Sequence, residues 1–139
     1  MNIEKLHHIA VAVTDIEAAL GDYADVLGLP RSEVVYLESQ QVKATLLQVG
    51  DCEIELIEPT DPEGGVAKFL ERRGEGLHHI CFQVPEIDAE LKGLEEQGVS
   101  LIDKQSRPGL AGMVGFIHPR STKGVLTELC TPLREHKAG

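Results

Sequence analysis

The stretch LHHIAVAV at residues 6–13 returns as LHHICFQV at residues 77–84, with five identities and a histidine pair opening each copy. Self-similarity at a fixed offset is the mark of a repeated supersecondary unit, and it constrains the fold more than any composition does. The offset that carries His8 onto His79 also lays DIEAAL (15–20) over EIDAEL (86–91). Allowing a drift of two residues, which one loop absorbs, Ile54-Glu55-Leu56 falls over Thr127-Glu128-Leu129. Each copy thus supplies one histidine and one glutamate. If the copies pair about a pseudo-two-fold axis, His8, Glu55, His79 and Glu128 converge on one point.

Local patterning agrees with a repeated βαβββ module. Alternation over 6–13 places Ile9, Val11 and Val13 on one strand face and His8, Ala10 and Ala12 on the other. Thr14-x-x-Glu17 has the form of a capping box, and Ile16, Ala19, Leu20, Tyr23 and Leu27 follow at helical spacing up to Gly28. Residues 34–38, 42–49 and 52–58 read as strands, with Gly50-Asp51 as the tight turn between the last two. The first module spans 1–60. A linker at 61–76 carries a short helical pattern on Val66, Phe69 and Leu70 before Gly74 and Gly76. The second module, 77–132, repeats the order: a strand at 77–84, a helix at 85–97 on Ile87, Leu91 and Leu94, then strands near 99–103, 113–118 and 124–130. The tail beyond Pro132 reads as solvated. The expected fold is α+β, a single domain over 1–139 in which two tandem βαβββ modules form a cupped mixed sheet around a metal site.

With 139 residues the chain is long enough for one shared core. It has no long apolar run and no charged-apolar-small leader, so a soluble, cytoplasmic protein is expected. Cys52, Cys81 and Cys130 include no C-x-x-C pair, which favours reduced thiols over a disulfide framework or a zinc ribbon. A net charge of −10 argues against general nucleic-acid binding, because phosphate contacts need dense Lys and Arg. The charge is uneven, however: 104–127 has no Asp or Glu but carries Lys104, Arg107, Arg120 and Lys123 among glycines. That stretch reads equally as an anion site and as a solvated loop.

Taken singly, a histidine or glutamate in a strand is more often a packing or solvent-facing residue than a ligand. Recurrence at matching places in both copies reverses that judgement for His8, Glu55, His79 and Glu128. Two carboxylates brought together away from water repel unless a cation sits between them. Two imidazoles and two carboxylates without a thiolate suit one divalent ion of Co, Mn, Ni, Fe or Zn, and four protein ligands on a six-coordinate ion leave two positions for a bidentate oxygen substrate. Such an ion acidifies a C–H beside a carbonyl, and a nearby carboxylate can move the proton. His7 and His78 point the other way along their strands and read as supporting residues. Cys81 and Cys130 share faces with His79 and Glu128, where small apolar filling is the plainer role. His118, before Pro119, is either a substrate contact or a loop-shaping residue, and His136 belongs to the tail.

The strand LHHIAVAV, the run IELIEPTDPEGGVAKFLERRGEGLHHI and the closing FIHPRSTKGVLTEL resemble the vicinal oxygen chelate superfamily (glyoxalase, bleomycin resistance, dioxygenase) and, more narrowly, its methylmalonyl-CoA epimerases. The resemblance covers nearly the whole chain. It implies metal ligation by His8, Glu55, His79 and Glu128, with Glu128 also exchanging the substrate α-proton as the (R) and (S) forms of methylmalonyl-CoA interconvert through an enolate. It also implies an acyl-CoA substrate, whose phosphates would meet Lys104, Arg107, Arg120 or Lys123, and a homodimer; no nucleic-acid or membrane partner is expected. Some family members carry a second Glu where this chain has Ala44, leaving Glu38 or a bound water as candidates for the second proton. The GLAGM segment at 109–113 also departs from the family's glycine-richer, polar pattern. Three other functions fit parts of the same pattern: a glyoxalase I type lyase, an iron oxygenase that would leave Glu55 superfluous, and a metal-free small-molecule binder.

Overall fold

The computed structural model describes residues 1–133, in which α-helices and β-strands form two compact units. The expected solvated tail and His136 lie outside the described residues. Among the described residues, no helix is long and apolar enough to cross a membrane.

The first unit, residues 6–81, is built on strands β1 (Lys5–Ala12), β2 (Val35–Leu37), β3 (Val42–Val49), β4 (Cys52–Pro59) and β5 (Gly76–Gln83), which lie in the order β2-β3-β4-β1-β5. β1 and β4 pair in parallel, placing Ala10 beside Glu55 and Val11 beside Leu56. β3 runs antiparallel to β4, with Leu46 beside Glu55 and Leu47 beside Ile54. Because side chains alternate, one face of this sheet carries Val11, Val13, Leu47, Ile54 and Leu56. Helix α1 (Ile16–Leu20) packs there through Ile16, Ala19 and Leu20. The other face carries His8, Ala10, Ala12, Glu55 and Ile57, as the sequence pattern predicts.

Two local expectations are corrected. The cap of α1 is Asp15, whose carboxylate accepts from the amides of Glu17 and Ala18. Thr14 instead uses its own amide and hydroxyl to donate to Glu75. Past Leu20 the chain opens into a π-helical turn, Gly21–Val26, before Gly28 ends it at φ +76°. The linker pattern at Val66 to Leu70 becomes helix α2 (Gly65–Arg73), stopped at Gly74.

The second unit, from Phe82 onward together with Met1–Lys5, contains α3 (Ile87–Glu96) and strands β6 (Arg107–Gly109), β7 (Gly112–Ile117) and β8 (Thr127–Thr131), ordered β8-β7-β6. Ile117 and Leu129 face α3, where they join Val84, Ile87 and Leu91 in an apolar core. The strand expected at 99–103 is a single bridge, Leu101 to Ile117. The amides of Ile102 and Asp103 both donate to the Phe116 carbonyl, and the Asp103 carboxylate accepts from the Phe116 amide, so a side chain ends the ladder there. The edge position passes to β6, whose pairing with β7 the sequence pattern does not announce. The strand expected at 124–130 begins at Thr127, because residues 119–124 are taken up by a 3₁₀ turn and the bend after it.

Candidate metal centre

Three of the four proposed ligands meet within the first unit. His8 on β1, Glu55 on β4 and His79 on β5 are 1%, 6% and 5% exposed, so their polar ends sit away from bulk water. His8 Nε2 lies 3.4 Å from His79 Nε2, and Glu55 Oε1 lies 3.5 Å and 3.7 Å from those two nitrogens. The register explains the meeting. Glu55 is held between Ala10 and Leu46, and an alanine beside it leaves room for the His8 ring to lean across from two residues earlier on β1.

The donor chemistry of this triangle fits a cation. On each imidazole the other nitrogen is already engaged: His8 Nδ1 is 2.9 Å from His7 Nδ1, and His79 Nδ1 is 2.8 Å from His78 Nδ1. The three inward atoms are then a carboxylate oxygen and two ring nitrogens turned toward one another, a set rich in lone pairs. The nearest point equidistant from three atoms with these separations lies about 2.0 Å from each, close to ordinary zinc–nitrogen and zinc–oxygen bond lengths. His8, Glu55 and His79 therefore form a buried group that can hold a divalent metal.

Glu128 lies in the second unit, 3% exposed at the second position of β8 and directly across from Phe116 on β7. Cys130, wholly buried, shares its face two residues along. Arg107, paired in register with Val114, belongs to that same face, and its guanidinium lies 5.8 Å from the Phe116 ring centre. Arg107 also pairs with Asp103 at 3.3 Å. Lys104 pairs with Glu95 at 3.1 Å in a solvent-exposed contact. Arg120 donates to Ser100 Oγ, and Lys123 sits in the following bend at φ +59°. Lys104 and Arg107 are thus each paired with a carboxylate, while Arg120 lies within the 3₁₀ turn and Lys123 just after it. His118 caps that turn, its Nδ1 accepting from the Arg120 amide.

Ala44 is wholly buried on the β3 face shared with Leu46 and Glu55, and Lys43 faces away to pair with Glu58 at 3.5 Å. Glu38 is exposed in a 3₁₀ turn. Cys81 is wholly buried on the His79 face, and Cys52 donates to the Leu6 carbonyl; none of the three cysteines is in a disulfide. One residue passed over in the sequence belongs to the centre's surroundings: Glu53 Oε1 lies 3.7 Å from His7 Nε2. Its signal was its place two residues before Glu55, on the same strand face.

Comparison with known proteins places the chain in a family. Residues 7–116 match the family model of the Glyoxalase/Bleomycin resistance protein/Dioxygenase superfamily. The chain is 42% identical over 131 residues to the Bacillus subtilis (strain 168) protein YqjC, described only as uncharacterized, with 94% of each chain covered. It is 34% identical over 130 residues to the mitochondrial methylmalonyl-CoA epimerase of Homo sapiens, covering 92% of this chain and 74% of the human one. A variant of the Streptomyces coelicolor methylmalonyl-CoA epimerase in complex with 2-nitronate-propionyl-CoA superposes with a TM-score of 0.92 at 30% identity, covering 98% of this chain and 99% of that one. The α+β fold is therefore the glyoxalase-like one, and the chain belongs to the Glyoxalase/Bleomycin resistance protein/Dioxygenase superfamily.

Proposed function

We propose that this protein is a metal-dependent epimerase that interconverts the (R) and (S) forms of methylmalonyl-CoA. The observation that carries the reading is the buried triangle of His8 Nε2, His79 Nε2 and Glu55 Oε1, in a chain whose relatives include methylmalonyl-CoA epimerases. Glu128 completes the ligand set in this reading, and the metal is one of Co, Mn, Ni, Fe or Zn. When bound, the ion supplies Lewis acidity that draws charge from a substrate carbonyl. The protein does the rest. His8, His79 and Glu55 would hold the ion, His8 and Glu55 from strands β1 and β4 that are each flanked by two others. Glu128 would remove the proton from C2 and leave an enolate of the substrate.

The returning proton must reach the opposite face of C2. Ala44 and Leu46 offer no acid on the inner face of β3, so a bound water or Glu38 is the candidate source. Lys104, Arg107, Arg120 and Lys123 would receive the CoA phosphates, the first two exchanging their carboxylate partners Glu95 and Asp103 for them. We also infer a homodimer, supported by the exposed apolar side chains of Val26, Leu27 and Tyr36.

The test combines metal analysis of the purified protein with NMR detection of deuterium entering C2 of methylmalonyl-CoA in D₂O. A stoichiometric divalent ion with deuterium wash-in and inversion is expected. A bound ion without wash-in, alongside turnover of a glutathione hemithioacetal, would transfer the activity to a glyoxalase I type lyase. Absence of any ion would favour a metal-free binder.

A further inference from the structure

We propose that His7 and His78 are positioning residues that fix which ring nitrogen His8 and His79 present to the metal. The inference rests on the triangle being a metal site. Each imidazole of the triangle turns Nε2 inward, and a neutral imidazole that offers Nε2 as a lone pair must carry its proton on Nδ1. In both copies that Nδ1 meets the Nδ1 of the preceding histidine, at 2.9 Å for His7–His8 and 2.8 Å for His78–His79. The preceding histidine must then accept on Nδ1 and carry its own proton on Nε2. Two adjacent strand residues ordinarily point to opposite faces and do not meet, so finding the same contact in both repeats marks it as part of the duplicated design.

Each couple has an outer neighbour. His7 Nε2 lies 3.7 Å from Glu53 Oε1, so its outward N–H faces a carboxylate and the order runs Glu53, His7, His8, site. His78 instead packs edge-on against Phe69, with ring centres 4.8 Å apart. The Arg73 guanidinium in turn lies 5.9 Å from the Phe69 ring centre. Outer partners of metal-bound histidines usually set tautomer and ring orientation, and losing one weakens metal binding about 10- to 100-fold. Glu53 is therefore an outer partner of the first couple.

Two measurements decide the matter. Long-range ¹H–¹⁵N correlation spectra of the zinc-loaded protein are expected to show Nδ1-protonated rings for His8 and His79 and Nε2-protonated rings for His7 and His78; Nδ1–H tautomers at His7 and His78 would overturn the proposal without any substitution. In parallel, Co²⁺ affinity is measured by chelator competition for the wild type and for His7→Phe, His7→Asn, His78→Phe and Glu53→Gln. The Phe variants are expected to bind about 10- to 100-fold more weakly. His7→Asn should recover most of the loss, because its amide oxygen can stand where Nδ1 stood. Glu53→Gln should weaken binding less than His7→Phe. Phe variants that bind Co²⁺ within twofold of the wild type would refute the positioning role. A wild type that binds no metal would instead refute the metal reading of the triangle.

Discussion

Glu55→Gln separates the two roles of the buried carboxylate, because glutamine keeps its shape and removes its charge. In the metal-free protein Glu55 stands 6% exposed with its Oε1 against two imidazole nitrogens, a place where an amide loses little. The metal-free variant should therefore melt within about 3 °C of the metal-free wild type, equivalent to about 1 kcal/mol for a chain of this length. With metal the two should part. Free ligand at about 1,000 times Kd adds about 4.1 kcal/mol of stability. At about 2.1 cal/mol/K of unfolding entropy per residue, the 139 residues give about 0.29 kcal/mol/K, so the wild type should gain about 14 °C. If losing the carboxylate weakens Kd about 100-fold, the variant at the same free metal gains only about 1.4 kcal/mol, or about 5 °C. Differential scanning calorimetry of both proteins, EDTA-stripped and at fixed free Co²⁺, gives the four melting points. Equal metal-induced gains in the two proteins would refute the claim that Glu55 is a ligand. A metal-free variant that fell by the full 14 °C would show Glu55 to be structural instead.

Three other outcomes follow from the same geometry. Glu128→Gln should slow deuterium wash-in at C2 of methylmalonyl-CoA by about 10²- to 10⁴-fold, the usual worth of a positioned base, and near-wild-type exchange would remove Glu128 from the chemistry. Reversing Arg107 and Lys123 together should raise KM for the acyl-CoA with kcat little changed, and an unaltered KM would withdraw the phosphate role of these residues. Gly112→Ala should lower Tm by at least several degrees. A Cβ at Gly112 would stand 2.4 Å from the Thr131 carbonyl oxygen at φ +120°, so a variant melting like the wild type would mean that β7 and β8 can part there without cost.

What could be read from the sequence was whatever alternation and duplication encode. The β3 and β4 strands, the inward sense of His8 and Glu55, and the match of His8 to His79 all depend on a period of two and a repeat, which survive in any environment that buries one face. What escaped was set by individual side chains acting at a distance in sequence. Asp103 ends a ladder by accepting from the Phe116 amide, which moves an edge strand from 99–103 to Arg107–Gly109. Asp15 rather than Thr14 caps α1 because Thr14 is drawn off by Glu75, far along the chain. The acid-free run from Lys104 reads equally as an anion site and as a solvated loop, because two of its partners, Glu95 and Asp103, lie outside it. Glu53 was equally visible as a residue, but nothing in one sequence could show that the register sets it beside His8 and within reach of His7.

His8 and Glu55 stand on β1 and β4, neighbouring strands that each have a further strand on their outer side. Fraying of the short margin at β2, or insertions into the turns around it, therefore need not pull either donor out of place. Amide protons along β1 and β4 should exchange far more slowly than those of Val35–Leu37. Lineages of such a chain are then free to remodel the rim, and with it the choice of guest, while the chelate stays intact.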